Sequence, residues 1–196
     1  MTVRRIIHIF LALLAVGPAV HAQANSSSLR NRFQNATEPQ LDSLYAPLVY
    51  LMHQEEQGTY ASLLSVVEKR EFLRRFWARR NPKAEKEFNE RLGTVNRKFA
   101  ERGTSEVPGW RTDRGRVYLE YGPPDITLSR HGPGVKLPFS IWKYTQGKTR
   151  PRKYCFVDVT GFGNYVLVYS NDPREPSRSD WRQLLGDDGY ADALDF

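Results

Sequence analysis

Asp113, Asp125 and His131 are the side chains whose types suit acid–base chemistry, and Arg80, Arg111, Arg114, Arg116, Trp110 and Thr112 accompany them in the sequence. An enzyme built on them would use Asp113 as base or nucleophile and His131 as its acid partner. Arg116 would clamp an oxyanion or a phosphate. The reaction class would be hydrolysis or carbohydrate chemistry on Asp113 and Asp125 with His131. The same residues also have structural occupations. Asp113 can cap a turn and pair with Arg80 or Arg114. Trp110 can plug a seam between helices and sheet while its indole N–H meets a backbone carbonyl. Each residue has such a local occupation, so the structural reading takes precedence.

Other chemistries lack the residues they need. Past residue 22 the histidines are His53 and His131, Cys155 is the one cysteine, and no HxH, HExxH or CxxC spacing occurs. No metal and no cofactor is therefore implied, and there is neither a GxSxG elbow nor a P-loop. Cys155 falls in an alternating pattern and reads as a small buried hydrophobe. Arg70, Arg74, Arg75 and Arg79 form a candidate binding face for anionic lipid head groups or an acidic partner. A solvated face is the ordinary fate of such a run. Tyr118, Trp142, Tyr144, Tyr154, Tyr165 and Tyr169 give an aromatic set, suited to holding a glycan or peptide or to filling a core.

The elements that position these residues follow from pattern. Pro108-Gly109 reads as a turn, and Arg116 to Tyr121 alternates with Val117, Leu119 and Tyr121 on one face, which predicts a strand. Gly122-Pro123-Pro124-Asp125 ends it, because neither proline donates to a ladder. Ile126 to Lys136 reads as a loop, and Phe139 to Thr145, Lys153 to Val159 and Asn164 to Tyr169 as strands. Before the turn, Ser65 and Glu68 have capping-box spacing and predict a helix to about Arg80. Val66, Phe72, Leu73, Phe76 and Trp77 make its apolar arc. Lys69 and Arg80 fall inside that arc, which calls for internal ion pairs. Asn81 as cap and Pro82 at the first position predict a second helix to about Arg102, with Gly103 after it. Phe88, Leu92, Val95 and Phe99 form its stripe, and Gly93 suggests a close approach. Leu41 to Glu56 reads as a short helix interrupted at Pro47. The expected fold is α+β, a helical hairpin or corner on one face of a roughly four-stranded antiparallel sheet.

Gly109-Trp110-Arg111-Thr112-Asp113, with Arg114-Gly115-Arg116-Val117-Tyr118 and Tyr121-Gly122-Pro123-Pro124-Asp125, resembles the signature of GWxTD domain proteins. Phe76-Trp77-Ala78-Arg79-Arg80-Asn81-Pro82 and Val95 to Phe99 resemble that family's helical half, with Asn81 where aspartate is expected. The resemblance covers residues 41 to 169. It implies an exported bacterial protein, structural roles for Gly109, Trp110, Thr112, Asp113, Arg80, Gly122, Pro123, Pro124 and Asp125, and no particular activity.

The N-terminus agrees with export. Arg4 and Arg5 precede an apolar run from Ile6 to Val16, Gly17-Pro18 breaks it, and Val20-His21-Ala22 reads as a cleavage site. No cysteine follows that site, so a lipid anchor is not expected. The formal charge of +7 falls to +5 without Arg4 and Arg5, a mild basic excess. The expected plan is a signal peptide at 1–22, a flexible lead-in at 23–40, an α+β domain at 41–170, and a linker with an acidic tail at 171–196. Asp187, Asp188, Asp192 and Asp195 supply the tail's charge. The expected function is a noncatalytic interaction module of the periplasm or cell envelope. Its partner would be another envelope protein docking on a sheet edge or on the arginine face, with an anionic lipid surface as the further candidate. Export makes nucleic acid the poorer partner, and nothing spans a membrane after cleavage.

Overall fold

The structure, a computed structural model, describes residues 33–102, 106–147 and 150–196. The signal-peptide expectation, residues 23–32 of the lead-in and the expected Gly103 cap lie outside them. The elements are α1 (Glu38–Tyr45), a 3₁₀ segment (Ala46–Tyr50), α2 (Gln54–Ala61), α3 (Val66–Ala78), α4 (Ala84–Lys98), the short strands β1 (Glu101–Arg102) and β2 (Glu106–Val107), a 3₁₀ turn (Gly109–Arg111), α5 (Asp113–Tyr121), β3 (Ile126–Arg130), β4 (Phe139–Tyr144), β5 (Arg152–Asp158), β6 (Tyr165–Ser170) and α6 (Trp181–Asp195). The fold is α+β, and β3-β4-β5-β6 form an antiparallel four-stranded sheet in chain order.

Local chemistry sets the helix ends. Ser65 Oγ accepts from Glu68 N at 3.2 Å, and Ser65 N donates to Glu68 Oε2 at 3.0 Å, the reciprocal capping box that the spacing predicts. Thr37 N donates to Gln40 Oε1 at the start of α1, and His53 N to Glu56 Oε2 at the start of α2. Asn81 does not cap α4. Its Oδ1 accepts from Lys83 N at 2.9 Å in a turn of its own, and the helix starts at Ala84, two residues past the expected Pro82. Nor does Gly93 mark a close approach, since a Cβ there would meet only the tip of Arg97.

Both cations inside the apolar arc of α3 find acids. Lys69 Nζ lies 2.7 Å from Glu38 and 2.9 Å from Asp42 on α1. Arg80 pairs with Glu56 on α2 at 2.7 Å. The helical layer closes over Leu41, Leu48, Tyr60, Leu73, Phe76, Trp77, Phe88 and Val95. Phe33 is buried with them, so this part of the lead-in belongs to the core.

Two readings are corrected. Residues Arg116 to Tyr121 are helical, within α5, and Ile126–Arg130 supplies the first strand instead of a loop. Helix α5 lies between two layers. Val117 packs on the sheet cluster and Leu119 on the helical cluster. Two helical positions are about 200° apart, so burial on opposite faces mimics the alternation of a strand. Strand β3 is an edge with mostly exposed residues, and its alternation of Ile126 and Leu128 with Thr127 and Ser129 spans only two apolar positions before Arg130.

Helix α6 corrects a third. The sheet is covered on both faces: Trp142, Tyr144, Tyr154 and Phe156 turn toward α5, while Phe139, Ile141, Cys155, Val157 and Val168 turn toward Leu185 and Ala193 of α6. The residues read as linker and acidic tail are therefore an integral layer. Lys153 Nζ donates to the carbonyls of Ala193 and Leu194, Lys143 Nζ to that of Phe196, and Arg130 pairs with Asp192. Cations placed at a helix C-terminus stabilise it. Among the described residues no helix is long and apolar enough to cross a membrane.

Candidate functional site

Gly109 and Gly115 set the geometry of the central stretch. A Cβ on Gly109 would stand 1.9 Å from the carbonyl oxygen of Val95, and one on Gly115 would stand 1.8 Å from that of Gly109. Backbone of α4, the 3₁₀ turn and α5 is thus stacked in direct contact, which only glycine permits. Thr112 fastens the stack. Its buried hydroxyl donates to Gly109 O at 2.8 Å and accepts from Gly115 N at 3.1 Å, capping α5. Trp110 N donates to Asn96 Oδ1 on α4 at 3.1 Å. The indole packs against Tyr50 and the helical core, with the Arg111 guanidinium 4.9 Å away on the ring. Trp110 therefore seals a seam among helices rather than between helices and sheet, and its recorded hydrogen bond is made by the main chain.

Asp113 joins this stack to the sheet. Its Oδ2 accepts from Leu167 N at 2.7 Å, on the outer edge of β6. It does not pair with Arg80 or Arg114. Arg80 is drawn to Glu56, to the carbonyls of Phe76 (2.8 Å) and Leu51 (3.2 Å), and onto the Phe76 ring. Its hydrogen bonds hold the Glu56 carboxyl below its ordinary range. Arg114 lies over Tyr165 and Phe99, with its guanidinium 3.7 Å and 5.1 Å from the ring centres, and burial lowers its pKa. Arg116 makes a two-pronged pair with Glu175 at 2.7 and 2.8 Å.

Asp125 closes the Gly-Pro-Pro-Asp turn against the end of β4. It accepts from Thr145 N, Thr145 Oγ1, Gln146 N and Gln146 Nε2, at 2.6 to 3.2 Å. Those bonds hold its carboxyl below the ordinary value. Gly122 ends α5 at φ +82°, and its carbonyl accepts from Tyr144 OH at 3.0 Å. His131 is exposed in the loop after β3. Asp113 stands at the outer edge of β6 and Asp125 at the start of β3 with its carboxylate against the end of β4, two to three strand spacings or ~10–14 Å apart, and Asp125 and His131 flank β3 end to end at roughly 20 Å. The structure does not bring the three together. The cleft beside the turn, about 460 Å³, is lined by Glu87, Glu90, Arg91, Tyr118, Tyr121 and Pro123 among others, and by none of those three.

The profile of the GWxTD domain matches residues 18–183. The chain belongs to the GWxTD domain family. No curated protein and no solved structure matches it.

This GWxTD domain also carries a polar network that the sequence reading missed. Asp172, only 2% exposed, accepts from Tyr154 OH at 3.0 Å and from Arg174 Nη2 at 2.9 Å, and Arg152 approaches to 3.2 Å. The Arg174 bonds hold its carboxyl well below the usual range. Tyr121 OH donates to Glu120 at 2.6 Å and contacts Arg174, and burial raises the phenol to about 12. The sequence signal was Asp172-Pro173 after a strand, which reads equally well as an ordinary turn.

The arginine face of the GWxTD domain is broken. Arg70 donates to Ala36 O at 3.1 Å and leaves its buried Nε without a partner. Arg74 and Arg75 both bind Glu71 at 2.6 Å. Arg79 alone of the four is exposed with a side chain that makes no ion pair or hydrogen bond to a described residue. The aromatic set divides as well. Trp142, Tyr144 and Tyr154 are buried in the core, and Tyr169 stacks on Trp181 beyond the opposite face at 4.2 Å.

Proposed function

We propose that the chain is an exported, noncatalytic interaction module of the periplasm or cell envelope, whose partner is another envelope protein. One observation carries the noncatalytic part: Asp113 and Asp125 both bind main-chain N–H groups of the fold, Asp113 at the outer edge of β6 and Asp125 at the end of β4. Such carboxylates hold the molecule together and face no common cavity. Export rests on residues 1–22 alone.

The surface we assign to the partner is the outer edge of β3. The other edge is closed: at β6, Tyr165 N meets Glu101, Leu167 N meets Asp113, Val168 O meets Arg178 N, and Ser170 N meets Ser177. No described residue bonds the outer edge of β3, which is open to an added strand.

Asp113→Ala tests the noncatalytic part. Leaving Leu167 N–H without its acceptor should cost about 1–3 kcal/mol, a fall in Tm of about 2–12 °C for a chain of this length. A level or higher Tm would mark Asp113 as a residue the fold spares, as active sites do, and would end this reading. Cell fractionation with intact-mass measurement tests export. The expected product is periplasmic and lacks residues 1–22; an intact cytoplasmic chain would refute it.

A further inference from the structure

The open edge of the sheet has no guard of its own. Strand β3 contains no proline and no lysine, and its five residues pair with β4 in an unbroken register, so no bulge turns the edge away. The covering helices seat elsewhere, α6 against β4 and β5 and α5 against β6. Ile126 is 47% exposed, and Thr127 and Ser129 are exposed beside it. An edge of that kind is a template for an added strand.

The side chains of β3 select the strand. Ile126, Leu128 and Arg130 share the α6 face with Lys143, Ile141 and Phe139, whereas Thr127 and Ser129 share the other face with Trp142 and Ser140. Residues directly opposite in an antiparallel pair lie on one face. A second β3, turned on a two-fold axis through Leu128, therefore sets Leu128 against Leu128, Thr127 against Ser129, and Ile126 against the aliphatic stem of Arg130. The α6 face of that seam is apolar, and hydroxyls meet on the other. Arg130 is matched by Asp192, with Asp188 also on α6, and it stands opposite Ile126 instead of its own copy. The same axis brings Asp125 opposite His131 of the second copy. Asp125 is held by neutral donors alone, those of Thr145 and Gln146, and its Oδ1 accepts one bond. His131 is exposed, and its side chain makes no ion pair or hydrogen bond to a described residue. The assembly also closes. Each copy spends its open edge, and the joined sheet ends on two β6 edges that Glu101, Asp113, Ser177 and Arg178 already cover.

We propose that the strand added to β3 is β3 of a second copy of this chain, antiparallel about Leu128, so that two domains share one continuous sheet. The assignment names the envelope protein docked on the β3 edge and rests on the reading of that edge as the docking surface. Five residues a side make a small interface, so the dimer is reversible.

The test uses the mature protein. Sedimentation equilibrium should show a monomer–dimer equilibrium with a dissociation constant on the order of 10–100 µM. Thr127→Lys, at an exposed position and checked for unchanged Tm, places a guard on the edge and should weaken association about tenfold or more. His131→Asp sets like charges opposite each other and should weaken it too, whereas His131→Lys should not. Introduced cysteines read the register. Leu128→Cys meets its own copy within disulfide reach, about 4.5–5.5 Å between Cα atoms, while Ile126→Cys stands ~14 Å from its own. Mild oxidation should link Leu128→Cys into covalent dimers and leave Ile126→Cys unlinked, with Cys155 buried in both. Linking of Ile126→Cys as fast as Leu128→Cys, or association indifferent to Thr127→Lys, would place the contact elsewhere and overturn the assignment. A monomer throughout the concentration range would overturn it as well, and amide exchange then separates the two readings. Outward β3 amides that exchange freely in that monomer leave the edge open to a different envelope protein. Protected ones remove the edge itself.

Discussion

At the scale of single residues, glycines and carboxylates do most to determine this structure. Two glycines make the contrast. Gly109 has φ in the ordinary range but no room for a methyl group, with Val95 O 1.9 Å from its Cβ position. Gly122 has open space around it but sits at φ +82°. Gly109→Ala must separate two backbone segments and should cost at least the upper end of about 1–3 kcal/mol. Gly122→Ala carries only backbone strain and should cost about 1–3 kcal/mol. Urea midpoints of the two variants give the ranking, and a larger loss at Gly122 would show that the helix–turn stack tolerates displacement. Asp113 and Asp125 read from the sequence as residues with a local occupation, and in the structure both bond main-chain groups far along the chain. Those partners were not legible, since Leu167 lies 54 positions from Asp113 in the chain.

Among elements, the lesson comes from α5 and α6. The helical half of the fold was readable because Ser65 and Glu68 announce α3 and because Lys69 and Arg80 could not lie in an apolar arc unpaired. Helix α5 was misread because burial on two opposite faces gives every second residue the same environment. Helix α6 was legible only as a capped turn or two at Ser179 to Leu185, because Gly186 and Gly189 interrupt it and acids follow. Gly186 does adopt φ +71° at a kink, but Gly189 is needed where Phe139 packs close, 2.9 Å from its Cβ position. That packing makes α6 the lid over Cys155, whose thiol is pushed up to about 12 by burial. The native protein should therefore leave Cys155 unreactive toward a thiol reagent at neutral pH. Leu185→Asp places an unpaired charge against the sheet, and should both lower Tm and expose the thiol to labelling. Labelling at the same slow rate in both proteins would mean that the sheet face is closed without α6.

For the whole molecule, acid should be the revealing perturbation. Asp172 links the end of β6 to α5 and β5 through Arg174, Arg152, Tyr154 and Tyr121. A carboxyl held below its unfolded value contributes stability that is present above that value, near 3.9, and is lost as pH falls through the folded one. Glu56 acts in the same direction through Arg80. The urea midpoint should hold down to about pH 5 and fall progressively below about pH 4, and Asp172→Asn should make the fall shallower. Equal slopes in the two proteins would place the acid sensitivity elsewhere.

By itself the sequence determined what depends on neighbours along the chain: the capped helix at Ser65, the break at Gly122-Pro123-Pro124, the alternation of β4, β5 and β6, and the need for acids opposite Lys69 and Arg80. Family membership was legible in the same short stretches. Tertiary structure decided what depends on layers meeting. It made Arg116 to Tyr121 a helix between two cores, made Ile126–Arg130 an edge strand that buries little, and laid the acidic C-terminal segment over the sheet. Periodicity records one buried face at a time, so an element buried on two faces, or on neither, is settled only by what packs against it.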